Sequence, residues 1–111
     1  MIAVIFEFEP ESDRRQEYLD LAARLRPELE KMEGFISIER FQSLTDPGRL
    51  LSLSLWEDEA AVARWRNHAA HREAQAAGRA GLFRNYRLRV AAVLRDYGPD
   101  RRDQAPADAP D

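Results

Sequence analysis

Residues 50–75 read LLSLSLWEDEAAVARWRNHAAHREAQ, and the fold turns on where the period of this stretch changes. Leu51, Leu53 and Leu55 alternate with Ser52, Ser54 and Trp56, the two-residue repeat of a strand with two distinct faces. From Glu57-Asp58-Glu59 onward the repeat becomes about 3.6 residues, and Ala61, Val62 and Trp65 fall on one stripe of a short helix. Asn67 and His68 interrupt that helix, and a second one begins near Ala69-Ala70 with His71 in its first turn. Trp65, both histidines of the chain and Arg72 therefore sit within residues 65–72, beside a strand edge. That cluster is the candidate site.

Working outward, residues 35–43 (FISIERFQS) are strand-like, with Phe35, Ser37, Glu39 and Phe41 alternating against Ile36, Ile38, Arg40 and Gln42. Thr45-Asp46-Pro47-Gly48 is a turn, since proline presets φ and glycine accepts a positive one. Residues 35–57 are thus expected to form an antiparallel hairpin. Residues 2–8 (IAVIFEF) form another strand, apolar on both faces for most of its length. Pro10 ends it, and Ser12 is the expected N-cap of the next helix. In Asp13–Met32 the residues Tyr18, Leu21, Ala22, Leu25, Leu29 and Met32 recur every three or four positions, so this helix has one core stripe. Pro27 should kink or restart it, and Gly34 should stop it. Beyond the second helix pair, Gly78 and Gly81 loosen the chain before a last strand at Arg84–Asp96, with Tyr86, Leu88, Val90, Ala92 and Leu94 on one face.

The chain has 111 residues, enough for one domain with one core. That domain is expected over residues 1–98. Residues 99–111 hold no aliphatic side chain larger than alanine, so a solvated, disordered tail is expected. Seventeen basic and twenty acidic residues are interleaved for a net charge of −3, which argues against nucleic acid as a partner. The absence of cysteine excludes disulfides and thiolate metal sites and suits a reducing compartment. MIAVIFEFEPE has no basic segment of the signal-peptide kind, and no apolar run approaches the roughly 20 residues that span a bilayer. A soluble cytoplasmic protein with no membrane partner is the expectation.

The element order is strand, helix, strand, strand, helix pair, strand. A βαββαβ order places four antiparallel strands in one sheet with helices on one face, the ferredoxin-like α+β arrangement. Strands at 2–8 and 84–96 carry apolar residues on both sides, so the face without helices needs a cover. Monomers tolerate only a few hundred Å² of exposed apolar patch. A second copy of the sheet is the simplest cover, and a two-fold homodimer is expected.

VIFEFEP, the helix ending in MEGFISIERFQS, the segment LLSLSLWEDEAAVARWRNHAAHREAQ and the closing YRLRVAAVLRDYG together resemble the antibiotic biosynthesis monooxygenase domain over residues 1–98. The resemblance implies a dimeric α/β barrel of two ferredoxin-like sheets. It implies an enzyme that needs no cofactor and uses O2 to oxidise phenolic or anthrone-type aromatics to quinones. Trp65 matches a helix tryptophan of both quinone-forming and haem-degrading members, and His71 falls where quinone-forming members place a polar aromatic ring. Haem-degrading relatives carry an iron-binding histidine nine or ten residues after the tryptophan, where this chain has Ala74 and Gln75, and an asparagine in the first strand, where it has IAVIFEF. Both departures count against haem. The quinone-forming pattern also places an asparagine shortly before the tryptophan, where Ala61 and Val62 stand here.

On these grounds His71 is the candidate base for a phenolic proton, helped by a helix start that favours neutral imidazole. Arg72 or Arg84 would stabilise the developing anion. Trp65, His68, Phe6, Phe41 and Tyr86 would wall an apolar pocket between sheet and helices that admits a small aromatic molecule and O2. His68 and His71 straddle the helix break without a third ligand at matching spacing, so no metal is expected. The alternative is a non-catalytic dimer of the same fold that binds a small ligand.

Overall fold

The computed structural model describes residues 1–109. Strand β1 spans Ile2–Pro10, a 3-10 turn at Ser12–Arg14 leads into helix α1 at Arg15–Glu30, and β2 (Phe35–Gln42) and β3 (Leu50–Trp56) form the hairpin. Helices α2 (Glu59–Arg66) and α3 (Ala69–Ala77) follow, then an irregular turn at Gly78–Leu82 and strand β4 at Phe83–Ala92. The sheet order is β2-β3-β1-β4 with every pairing antiparallel, which is the ferredoxin-like arrangement. The helix enters through the 3-10 turn, and no side chain caps it, so Ser12 does not act as the expected N-cap. Helix α1 runs unbroken past Pro27. Asp58 caps α2 instead, its Oδ1 accepting the Ala61 backbone N–H at 2.8 Å.

The helices cover the face that carries Trp56, Ser54, Ser52 and Leu50, and these four are the buried residues of β3. At one end of the sheet Phe8, Tyr18, Ala22, Leu50 and Leu82 form a core cluster; at the other, Leu29, Trp56 and Ala61 form a second. The serines are small enough to let the helices come close, and Ser54 Oγ accepts the Trp56 Nε1–H at 2.9 Å. Trp56 thus satisfies its polar atom while buried to 2% exposure. Leu51, Leu53 and Leu55 point to the other face, where they remain half-buried. The shortest dimension of the molecule is 20 Å, room for one sheet and one helix layer at about 10 Å each.

Two strand faces differ from the simple alternation of the sequence. The pairing shifts between Phe35 and Ser37, so Phe35 opposes Trp56 and shares the helix side with Ile38. Ile36 is the extra residue, and such a bulge transfers everything before it to the other face. In β4 the uncovered face carries Asn85, Arg87, Arg89 and Ala91, the partners of Glu9, Glu7, Ile5 and Ala3. Apolar surface there comes from β3 and β1, and not from β4 as the sequence suggests. Tyr86, Leu88 and Val90 stand on the helix side, yet they are 65%, 54% and 46% exposed. The chain leaves the sheet after Ala92, so Leu94 lies beyond the strand and is exposed.

Residues 96–109 form turns without helix or strand. Gly98 N–H bonds Arg101 O, Asp96 N–H bonds the Gln104 side chain, and Arg102 lies over the Tyr97 ring at 5.3 Å. Pro110 and Asp111, the end of the expected tail, lie outside the described residues. The radius of gyration of 15.8 Å exceeds the roughly 13 Å of a compact chain of this length.

Candidate functional site

Trp65 occupies the last turn of α2, half-buried against the Leu29–Trp56–Ala61 cluster. The α2–α3 break folds both histidines back onto it. His68 stacks on the indole at 5.5 Å with an interplanar angle of 22°, and His71 meets it at 5.2 Å and 41°. The break is held by backbone bonds: Asn67 N–H to Ala63 O at 3.1 Å, His68 N–H to Trp65 O at 3.0 Å, and Arg72 N–H to His68 O at 3.0 Å. Asn67 reinforces it from its side chain, donating to Ala63 O at 2.8 Å and accepting from Arg72 Nη2 at 3.1 Å. By sequence Asn67 is only a helix breaker. Its side chain in fact fixes Arg72.

His71 Nδ1 lies 3.4 Å from the Arg66 carbonyl oxygen. A carbonyl can only accept, so a bond there requires the proton on Nδ1, and the neutral ring then carries its lone pair on Nε2. The pKa of His71 is pushed below the ordinary 6.5, first by burial and then by the nearby charges of Arg66 and His68; the bond to the Arg66 carbonyl opposes this. The sequence had assigned the lowering to the helix start. Desolvation is the larger cause.

The expected site residues divide between places. Trp65, His68, His71 and Arg72 are together. Phe6 is on the same side of the sheet but nearer the other end, against Phe8 at 4.8 Å, Phe83 at 5.5 Å and Tyr86 at 5.9 Å. Phe41 opposes Leu51 and therefore lies on the uncovered face, 45% exposed, so it cannot share a wall with Phe6 within one chain. Arg84 is the extra residue where the β1–β4 pairing shifts between Glu9 and Pro10. Trp65 packs at the Ile2–Trp56 end, and the nine residues from Ile2 to Pro10 span about 26 Å of strand. Arg84 is thus remote from His71. The exposed stripe Tyr86–Leu88–Val90, paired with Phe8, Phe6 and Val4, is apolar surface on the helix side that alternation alone did not mark as open.

The uncovered face holds a recess of about 250 Å³ among Glu7, Glu9, Arg49, Asn85, Arg87 and Arg89. Arg89 pairs with Glu7 at 3.2 Å and Arg49 with Glu9 at 3.5 Å. Among the described residues no group of three or more His, Asp or Glu could hold a metal ion, and no helix is long and apolar enough to cross a membrane.

A four-stranded antiparallel sheet in the order 2-3-1-4, with helices on one face and a Trp–His–His cluster at their break, defines a ferredoxin-like α+β protein. The family of antibiotic biosynthesis monooxygenases matches residues 1–77, and the chain belongs to it. A relative from Pyricularia oryzae named jasmonate monooxygenase ABM is 48% identical over 93 residues, covering 84% of this chain and 43% of that protein. The chain thus spans under half the length of that relative. An uncharacterised Bacillus subtilis protein, YqjZ, is 31% identical over 93 residues, 84% of this chain and 79% of its own. Among solved structures, SnoaB of Streptomyces nogalater, a cofactor-independent oxygenase, superposes with a TM-score of 0.75 at 16% identity, covering 89% of this chain and 97% of that one.

Proposed function

We propose that this protein is a homodimeric monooxygenase that needs no cofactor and oxidises a small electron-rich aromatic substrate with O2, in the cytoplasm. The observation that carries the reading is His71, whose imidazole rests on the Trp65 indole with Nδ1 toward the Arg66 carbonyl. Nε2 is then a lone-pair acceptor in a partly desolvated setting, the state a general base requires. The substrate lies over the apolar stripe Leu88–Val90 and against Trp65. His71 takes the phenolic or anthrone proton, and the resulting anion passes an electron to O2. Recombination forms a carbon–oxygen bond, and O–O cleavage gives the quinone and water. The substrate supplies all four electrons, one oxygen atom enters the product and the other leaves as water. Arg72, held by Asn67, is the nearby cation for the developing charge. Family membership supports the reaction class, and the names of the Pyricularia and Streptomyces proteins point the same way.

The test is oxygen consumption with a panel holding a naphthoquinol, an anthrone and jasmonate, using wild type and His71→Ala. Turnover of the aromatics that falls roughly 10²-fold in the variant supports the reading. Turnover of jasmonate alone replaces the substrate class. Saturable binding of the aromatics without oxygen uptake favours the non-catalytic ligand-binding dimer.

A further inference from the structure

The recess at the β1–β4 side of the sheet has an uneven balance of charge. Arg49, Arg87 and Arg89 line it together with only two carboxylates, Glu7 and Glu9. In the strand register Glu7 stands directly across from Arg87, and Glu9 directly across from Asn85. Neither carboxylate turns to its direct partner. Glu7 reaches one row along to Arg89 at 3.2 Å, and Glu9 reaches Arg49, the residue before β3, at 3.5 Å. Arg87 and Asn85 are left with no side-chain hydrogen bond or ion pair to another described residue, and both are exposed. They stand two residues apart on β4, so their side chains rise from one face with Cα atoms about 7 Å apart.

We infer that this recess is a binding site for a small oxyanion, a carboxylate or phosphate group held by Arg87 and Asn85. A guanidinium offers parallel N–H donors that match two oxygens of either group, and the Asn85 amide adds a third donor beside them. With both acids already paired, one guanidinium in the recess has no counter-charge. The chain as a whole carries a net charge of −3, so this local excess of positive charge is not a by-product of a basic composition. The volume of about 250 Å³ falls just below the roughly 300–1,000 Å³ of sites for drug-sized ligands, which suits a small anion better than a polycyclic aromatic. The recess is also separate from the Trp65–His71 cluster. It lies on the opposite face of the sheet and at its Phe8–Leu50 end, whereas Trp65 packs at the Ile2–Trp56 end. The Glu9–Asn85 row lies past Leu50, the first residue of β3, so the recess opens at the end of the sheet, clear of Leu53 and Leu55. The inference therefore stands independently of the oxidation proposed above.

The test is thermal denaturation at pH 7.5 with increasing inorganic phosphate or succinate, each set against sodium chloride of equal ionic strength. A saturable rise in melting temperature beyond that in chloride, about 3 °C or more at ten times the apparent Kd, is expected. Phosphate acting alone assigns the site to phosphate-bearing ligands, and succinate acting alone assigns it to carboxylates; both outcomes uphold it. Arg87→Gln should keep the ligand-free melting temperature within about 1 °C, because the side chain is exposed, yet weaken the anion at least tenfold. Glu7→Gln removes a negative charge across from Arg87 and should tighten binding several-fold, an effect that lost packing would not produce. Arg24→Gln, on α1 beyond the other face, should leave binding unchanged. A rise no larger than that in chloride overturns the site. So does a saturable rise that Arg87→Gln retains in full.

Discussion

At the scale of single residues, the two tryptophans differ in how deeply the fold encloses them. Trp65 lies on the apolar stripe of a helix and reads as a core residue, yet it is only half-buried and shares its indole face with two imidazoles. Trp56 ends a strand and is the ring enclosed to 2% exposure. Trp56→Ala should therefore cost about 3–5 kcal/mol, the usual range for a buried tryptophan. Trp65→Ala should cost less, about 1–3 kcal/mol, and should weaken substrate binding. His71→Ala should change stability by less than about 1 kcal/mol while lowering turnover. Urea denaturation of the three variants, set beside the oxygen assay, separates packing from chemistry. The depressed pKa of His71 also fixes the sign of a pH effect. Both folded and unfolded chains hold the ring neutral well above 6.5; as pH falls below that value the unfolded chain takes up the proton first. Stability should decline from about pH 6.5 down to the folded-state pKa and then level off, and His71→Ala should flatten that part of the melting-temperature profile.

Among the elements, the joints carry the specificity. Gly34 ends the α1 region at φ +86°, and a Cβ built there would lie 2.5 Å from Ala61 Cβ, on the first turns of α2. The same residue's carbonyl accepts the Glu57 N–H at 2.8 Å, so the α1–β2 and β3–α2 connections are tied at one point. Gly34→Ala must pay for a left-handed backbone and displace a fully buried alanine. A loss of about 3 kcal/mol is expected in chemical denaturation. Asp58→Ala removes only the cap of α2 and should cost about 1 kcal/mol. A Gly34→Ala protein as stable as Asp58→Ala would show that the joint relaxes. Gly34 was legible as a stop signal from sequence. Its contact with Ala61, 27 positions along the chain, was not, because sequence reading carries no information about which helix crosses which turn.

For the whole molecule, Val93 N–H still bonds Met1 O at 3.0 Å, and the arm beyond it bonds within itself in the described contacts of Asp96, Gly98, Ala105 and Ala109. Truncation after Gly98 should leave the melting temperature within about 2 °C, since it removes none of the two core clusters. A larger drop, measured by differential scanning calorimetry, would show that the arm contributes to the core of the assembly. The sequence by itself determined the order of elements, the β2–β3 hairpin and the gathering of Trp65, His68, His71 and Arg72. All of these follow from local periodicity and from residues within a few positions of one another. Only the tertiary structure decided which face of β3 the helices cover. Alternation separates Leu51, Leu53 and Leu55 from Ser52, Ser54 and Trp56, but it does not say which set faces inward. The serine and tryptophan face lies under the helices because small side chains admit close approach and Ser54 satisfies the indole N–H. The leucines are left on the surface where a second sheet can meet them. Phe41 and Arg84 were misplaced for a related reason: their positions depend on strand register and a bulge, and both are set by hydrogen bonding between distant segments.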